Sequence, residues 1–352
     1  MLNPGPYLRE KFPYIYYFLT AIIEGLRKVI RPYSIYITDS LGGSFKEYIL
    51  SSDIKSRIVD LKNNLDNESI NTVDVIIQRL VNYPDERYRH KLSKHLEIAG
   101  GLLPVETEQT RRNINDRLPD IRRKLKLKGR FIEESSFFFY HGLSLLPSSA
   151  VKYIRNHDFI DAGAFIGDSA IALRDYNYKK IYSIEISGKS IERYKTNMAD
   201  CNISSDKYEI IHAGLVSDNS IKSAIFSDTG SAGLSLLRKS WKYDLIEVKL
   251  RTLDDIADEY KITPRFIKAD IEGYSLEFIK GARKTLIKNR PVLSIAIYHN
   301  PFEFFEAKPL LETFLKNYVF LVRKLTSGIK YNKCHSDVFL ICCPDEIFVE
   351  SL

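Results

Sequence analysis

Asp158-Phe159-Ile160-Asp161-Ala162-Gly163-Ala164-Phe165-Ile166-Gly167-Asp168 is the stretch whose reading decides the fold. An apolar pair, Phe159-Ile160, runs into Asp161, then into a glycine turn, then into a helical pattern, Ser169-Ala170-Ile171-Ala172-Leu173. This order predicts a strand, a tight turn and a helix N-terminus, where backbone N–H groups are free to meet a ligand. The glycines are spaced Asp-x-Gly-x-x-x-Gly. Phe165 stands where a dinucleotide-binding turn needs its middle glycine so that a pyrophosphate can approach the backbone. The turn therefore suits a nucleoside without phosphates, and S-adenosylmethionine is the common one.

The residues beyond the turn add weight to it. Lys180-Ile181-Tyr182-Ser183-Ile184 ends in Glu185, and a carboxylate about 20 residues past the glycine turn, at the tip of a second strand, accepts hydrogen bonds from a ribose diol. A solvated strand end is the plainer reading of Glu185. A third run, Tyr208 to His212, leads to Ala213-Gly214, where the chain can pass close to an adenine. A fourth, Arg265 to Ala269, ends in Asp270-Ile271-Glu272-Gly273, and a fifth, Val292 to Tyr298, ends in His299-Asn300-Pro301. Near-continuous apolar strands separated by helical patterns predict a parallel sheet covered on both faces. Ligands of such sheets sit off the carboxyl ends of the strands, where Asp161, Glu185, Asp270, Glu272 and His299 all fall.

From about Asp158 to Lys324 the chain resembles the FkbM family of S-adenosylmethionine-dependent methyltransferases. The matching pieces are FIDAGAFIGDSA, the YSIE strand end, KLRTLDDI (249–256), FIKADIEGYSLEFIKGA (266–282), RPVLSIAIYHNP (290–301) and NYVFLVRKLT (317–326). Ser275 departs from the pattern, which more often has an acid there, and is assigned no role. The resemblance implies an α/β Rossmann-like class I methyltransferase sheet, mostly parallel and seven-stranded. It also implies methyl transfer, usually to a hydroxyl of a sugar or polyketide-like acceptor.

A chain of 352 residues is long enough for one catalytic domain plus an extension. The expected organisation is a mainly helical region over 1–125, a connecting segment over 126–157 and the methyltransferase-like domain over 158–352. In the first, Ile54, Ile58, Leu61 and Leu65 share one helical face, as do Val73, Ile76, Ile77 and Leu80. Asn82-Tyr83-Pro84-Asp85, and Gly100-Gly101 followed by Pro104, break the pattern. A hinge-like stretch, 126–130, precedes the aromatic run Phe137 to Gly142, in which His141 either faces the cofactor or packs as an ordinary histidine. After Pro301 the patterns predict a helix over 309–316 and an antiparallel pair of strands over 318–325 and 337–342.

Cys201, Cys334, Cys342 and Cys343 show no paired spacing for zinc or a disulfide framework, which fits a reducing cytosol. Tyr14 to Leu26 is apolar and aromatic but shorter than the ~20 residues a bilayer span needs, and it reads as a buried helix or an interfacial one. The formal net charge of +7 is concentrated between Arg111 and Arg130, where nine Lys or Arg face only Asp116 and Asp120. Such a run is usually a solvated helix face. The alternative is peripheral contact with an anionic surface or a phosphate-bearing acceptor. Without interleaved aromatics, nucleic acid is not an expected partner.

Asp161, Gly163, Ala164, Phe165, Gly167, Asp168, Glu185, Ala213 and Asp270 are the expected cofactor contacts. Methyl transfer needs an acceptor oxygen held in line with the methyl group and a base for its proton. His299 is the first candidate base, since its ordinary pKa lies near neutrality, with Asp270 and Glu272 beside it. A Mg²⁺ site from these three ranks below a metal-free reading, and Lys268 is either an ion-pair partner or catalytic. Two other classes remain: a nucleotide-binding oxidoreductase, and a non-catalytic scaffold on the same fold.

Overall fold

A computed structural model describes residues 42–51, 53–81, 101–124, 132–228, 244–327 and 335–349. The Tyr14–Leu26 segment, the break at 82–85, Gly100, the 126–130 stretch and Cys334 lie outside them. Ahead of the sheet come helices α1 (Gly42–Ile49), α2 (Ile54–Lys62), α3 (Asn67–Val81), α4 (Glu108–Lys124), the short α5 (Glu134–Phe137) and α6 (Ser148–Ile154). The next elements are β1 (Asp158–Ala162), α7 (Asp168–Leu173), β2 (Ile181–Glu185), α8 (Gly188–Asp200) and β3 (Tyr208–His212). Then come β4 (Gly214–Leu215), β5 (Ser223–Asp228), β6 (Asp244–Arg251), α9 (Leu253–Glu259) and β7 (Pro264–Ala269). The chain continues through α10 (Ser275–Gly281), α11 (Arg283–Asn289), β8 (Val292–Ala296), α12 (Pro301–Glu312), β9 (Tyr318–Lys324) and β10 (Val338–Pro344).

Seven strands form one sheet in the order β3-β2-β1-β7-β8-β10-β9. The first five run parallel, and β10 lies antiparallel between β8 and β9. This is the seven-stranded, mostly parallel sheet the apolar runs predict. Successive side chains of β1 explain why those runs are continuous: Phe159 enters one buried cluster and Ile160 the other, so both faces are covered. From β1 the chain builds outward to β2 and β3, and later returns to place β7 on the other side of β1. The reversal leaves a crevice over the carboxyl ends of β1, β2 and β7.

Three local readings need correction. The helix expected over 309–316 starts eight residues earlier, at Pro301. The Asn300 side chain accepts a hydrogen bond from the Glu303 N–H, and Pro301 fits the first helical position, so the pair starts the helix. Leu65 is buried with Ile54 and Leu61, but outside their helix, because the chain leaves α2 after Lys62 and Asn64 takes φ +57°. A second, small sheet of order β4-β6-β5 has no counterpart in the sequence reading. Its signal is the alternation of Ile246, Val248 and Leu250 with exposed Glu247 and Lys249.

The N-terminal helices share a buried cluster with the sheet, Phe45, Leu61 and Ile76 packing with Ile267 and Leu340. Helix α3 also closes the exposed edge at β9: the Val322 N–H donates to Ser69 Oγ at 2.9 Å, and Arg323 reaches Ser69 and Asp66. Glu106 joins the same two elements, pairing with Arg79 of α3 at 2.6 Å and Lys324 of β9 at 2.9 Å. In α4, Arg111 and Arg112 pair with Glu108, and Arg123 with Asp120. Cys342 and Cys343 are buried in β10, as expected. No helix among the described residues is long and apolar enough to cross a membrane.

Burial pushes the Glu106 carboxyl up, but its hydrogen bonds with Arg79, the charge of Lys324 and the Leu103 N–H outweigh that and hold it below its usual value of 4.5. Replacing it strands two buried cations, so Glu106→Gln should cost about 3–5 kcal/mol in urea unfolding at pH 7. Because the folded pKa is the lower one, the carboxylate's contribution is present above pH 4.5 and disappears as pH falls through the folded value. The penalty should therefore shrink in acid. A loss below about 1 kcal/mol at pH 7 would show that the bridge does not hold the N-terminal helices to β9.

Candidate active site

The turn after β1 is built from left-handed residues. Gly163, Phe165 and Gly167 sit at φ +78°, +45° and +83°. A Cβ on Gly163 would lie 1.8 Å from the Asp270 carbonyl oxygen, so glycine is required for the tips of β1 and β7 to meet. A Cβ on Gly167 would press on the Tyr194 ring at 2.9 Å. Phe165, although not glycine, is held by its N–H, which donates to Glu185 Oε2 at 2.7 Å. Glu185 Oε1 accepts the Ser187 N–H at 2.8 Å. The carboxylate is only 8% exposed, and burial raises its pKa against the pull of these N–H groups.

Asp161 lies opposite Lys268 in the β1–β7 register. The two form a buried ion pair at 3.0 Å, and Lys268 also donates to the Gly163 carbonyl at 2.8 Å. Burial pushes Asp161 up to about 6 although Lys268 pulls it down. Burial alone would depress Lys268, but Asp161, Asp270 and Asp168 more than offset this and raise it. Lys268 is thereby held in its charged form beside Asp161. Of the two readings of Lys268, the ion pair is the one the structure contains.

A cavity of about 510 Å³ opens over these strand tips. Beyond Glu185 its walls are mainly apolar, with Ile186, Ala213, Leu215, Val216, Phe226 and Leu250, and Ser217, Asp218 and Ser220 add polar groups after Val216. Toward β7 and β8 they turn polar, with Glu133, Asp168, Asp270, Glu272 and Tyr298. Burial raises Asp168, which accepts the Ser136 hydroxyl at 2.8 Å. Burial also raises Glu133 strongly, with Asp168 close by.

His299 sits behind this polar end and is not in the cavity wall. Its Nε2 lies 3.4 Å from Asp270 Oδ1 and 3.6 Å from Glu272 Oε2, and its Nδ1 lies 3.7 Å from Glu303 Oε2. Burial would lower its pKa, but Glu303, Asp270 and Glu272 outweigh that and raise it to about 9. An imidazolium at neutral pH has no free lone pair to take a proton. A raised pKa favours the imidazolium form of His299 among these three carboxylates, which weighs against the expected role of base and toward that of a counter-charge. Glu272 faces the cavity at φ +54°, strained for a residue with a side chain. Burial raises its pKa even with His299 beside it.

Of the expected cofactor contacts, Gly163, Phe165, Asp168, Glu185, Ala213 and Asp270 line the cavity, and so does Glu272 from the expected catalytic set. Asp161, Ala164 and Gly167 do not; they support the turn from beneath. Glu133, Tyr298 and Glu303 are site residues that the sequence pattern does not single out. Tyr298 has a signal, an aromatic directly before His299 at a strand tip, and its hydroxyl approaches Asp270 Oδ2 at 3.4 Å. Ser275 has a structural place: its N–H donates to Glu303 and its hydroxyl to the Ala296 carbonyl.

With this geometry in view, residues 161–322 match the family model described as the methyltransferase FkbM domain. This stretch is similar to the methyltransferase FkbM domain. Among solved structures the chain is similar to the methyltransferase FkbM from Methylobacillus flagellatus KT, at 17% identity and a TM-score of 0.53. That match covers 85% of this chain but only 60% of the other, so the chain spans less than two thirds of that relative. An O-methyltransferase from Bacillus cereus in complex with SAH is 14% identical, with a TM-score of 0.37 over 65% of this chain and 90% of that one. TomG, an O-methyltransferase from Streptomyces achromogenes involved in tomaymycin synthesis and solved with SAM, is 11% identical, with a TM-score of 0.38 over 65% and 88%. At these identities only the fold is at issue, and the first relative alone carries it. No curated protein matches the chain.

The His299 cation has a measurable consequence. Its folded pKa of about 9 exceeds the ordinary 6.5, so its stabilisation is fully present below pH 6.5 and is lost as pH rises through about 9. Urea unfolding of the protein should show falling stability across that window, and His299→Gln should flatten the slope. Parallel slopes in the two proteins would contradict the assignment.

Proposed function

We propose that the protein transfers a methyl group from S-adenosylmethionine to a hydroxyl of a sugar or another glycan or secondary-metabolite acceptor. The observation that carries this reading is one cavity joining a buried carboxylate, Glu185, to a carboxylate cluster held by His299. The donor fits the residues present. Each Glu185 oxygen accepts one backbone N–H, and a carboxylate has about four acceptor sites, so both oxygens can still take a ribose hydroxyl. The apolar wall beyond it suits an adenine. The acidic end suits the donor's positive charges, and it disfavours a phosphate, which argues against a nicotinamide dinucleotide.

When bound, the cofactor supplies an electrophilic methyl carbon on a sulfonium. The chain's contribution is to align the acceptor and remove its proton. Glu272 is the group that removes the proton, because it faces the cavity and burial brings its pKa toward neutrality. The Glu272 carboxylate would take the hydroxyl proton as the acceptor oxygen receives the methyl group. Asp270 accepts a further acceptor hydroxyl, with Tyr298 beside it. His299 acts through these two, its Nε2 lying beside both carboxylates.

A methyl-transfer screen over free sugars, sugar nucleotides and small hydroxylated metabolites tests the reading, with Glu272→Gln measured on any acceptor found. Turnover should fall about 10²–10⁴-fold while S-adenosylhomocysteine affinity stays within a few-fold. Near-normal turnover in that variant would remove the base. Methylation confined to amines or carbon acceptors would remove the hydroxyl class. The ribose contact has its own test. Glu185→Ala should weaken S-adenosylhomocysteine binding in calorimetry by about 1.5–3 kcal/mol, and unchanged affinity would refute it.

A further inference from the structure

Among the polar side chains lining the cavity, His141 is buried and is employed by neither the fold nor the reaction above. His141 belongs to the turn Tyr140–Leu145, ahead of β1 and outside the matched 161–322. Its backbone sits at φ +52°, followed by Gly142 at φ +90°. A Cβ on Gly142 would meet the Ile341 side chain at 2.3 Å, so this turn is pressed onto β10 and fixes the imidazole in place. The ring lies 6.1 Å from that of Phe339. His141 is 2% exposed and lines the cavity. Neither ring nitrogen has a hydrogen-bond partner among the described residues. Burial and the nearby Lys268 charge hold its pKa well below the ordinary value, so the ring is neutral and carries one donor and one acceptor. Folded chains seldom leave such groups buried and unmet unless a ligand or water meets them.

The order of the strands says which part of a ligand lies there. Glu185 at the tip of β2 marks the ribose, and the apolar wall at Ala213–Val216 marks the base beyond it. In the opposite direction the sheet runs to β1 and β7, which is where the amino-acid tail must extend. At that end Glu133, Asp168 and Asp270 offer acceptors for an ammonium group. A carboxylate needs donors instead. Of the cationic and ring donors in this wall, Lys268 is already committed to the Gly163 carbonyl and Asp161. His141 is the other.

We propose that His141 binds the α-carboxylate of the amino-acid tail of S-adenosylmethionine through a ring N–H. The assignment rests on the cofactor reading above and gives a residue from the segment before the FkbM-like stretch a direct part in the site. Calorimetry with two probes separates the possibilities: S-adenosylhomocysteine carries the tail, and 5′-methylthioadenosine carries the same nucleoside without it. His141→Phe should weaken S-adenosylhomocysteine at least about tenfold, the effect of losing a hydrogen bond to a charged group. It should leave 5′-methylthioadenosine within about twofold, and His141→Gln should recover part of the loss. If His141→Phe does not fold, ¹⁵N-histidine spectra of the wild-type protein give the answer: S-adenosylhomocysteine should move the His141 ring signals and 5′-methylthioadenosine should not. Unchanged S-adenosylhomocysteine affinity, an equal loss for both probes, or ring signals that respond alike to both would overturn the assignment. Wild-type protein that binds neither probe would remove the cofactor reading itself and this assignment with it.

Discussion

The buried Asp161–Lys268 pair fixes the geometry on which everything else in this domain depends. It joins the two strands flanking the point where the sheet reverses its building direction, and it does so at their tips. Burial of either charge alone would be costly, and the pair persists because Lys268 also satisfies the Gly163 carbonyl. That third contact ties the turn to the ion pair. The missing Cβ of Gly163 then lets the Asp270 carbonyl approach, and the Phe165 N–H in the same turn reaches Glu185 on β2. Three strand tips are locked together, and the cavity is the space they leave above them.

The same principle operates one strand further along. Asp270, Glu272 and Glu303 would repel one another if all were ionised with nothing between them. The His299 imidazolium supplies the compensating charge from beneath the cavity wall. Glu303 reaches this position because Asn300 starts α12, and its other oxygen takes the Ser275 N–H. The start of a helix, the strained Glu272 turn and the histidine's charge state are thus a single arrangement.

Much of this was legible in the sequence, for physical reasons. A strand buried on both faces must be apolar throughout, so β1, β2, β3, β7 and β8 announce themselves, and the polar residues that end them mark the ligand side of the sheet. The rest depends on partners far apart along the chain. Asp270 and Glu272 reach His299 from another strand tip, and Glu303 reaches it only because Asn300 starts α12, so no local pattern announces the crowding. Asp161 at a strand tip reads as a ligand contact until Lys268 is seen opposite it. The covering of β9 by α3 rests on Ser69 and Asp66 meeting Val322 and Arg323, which no local pattern encodes. The small sheet shows the opposite case: an alternating pattern lies in Asp244–Arg251, but its partner β4 spans only Gly214–Leu215 and is too short to signal a sheet by itself.

The central claim is that the cavity over β1, β2 and β7 receives S-adenosylmethionine and not a dinucleotide. Differential scanning measures this directly, because a ligand that binds only the folded state raises the melting temperature. Saturating S-adenosylhomocysteine should raise the Tm of the wild-type protein, and NADH at the same concentration should leave it unchanged. A rise with NADH, or none with S-adenosylhomocysteine, would contradict the account.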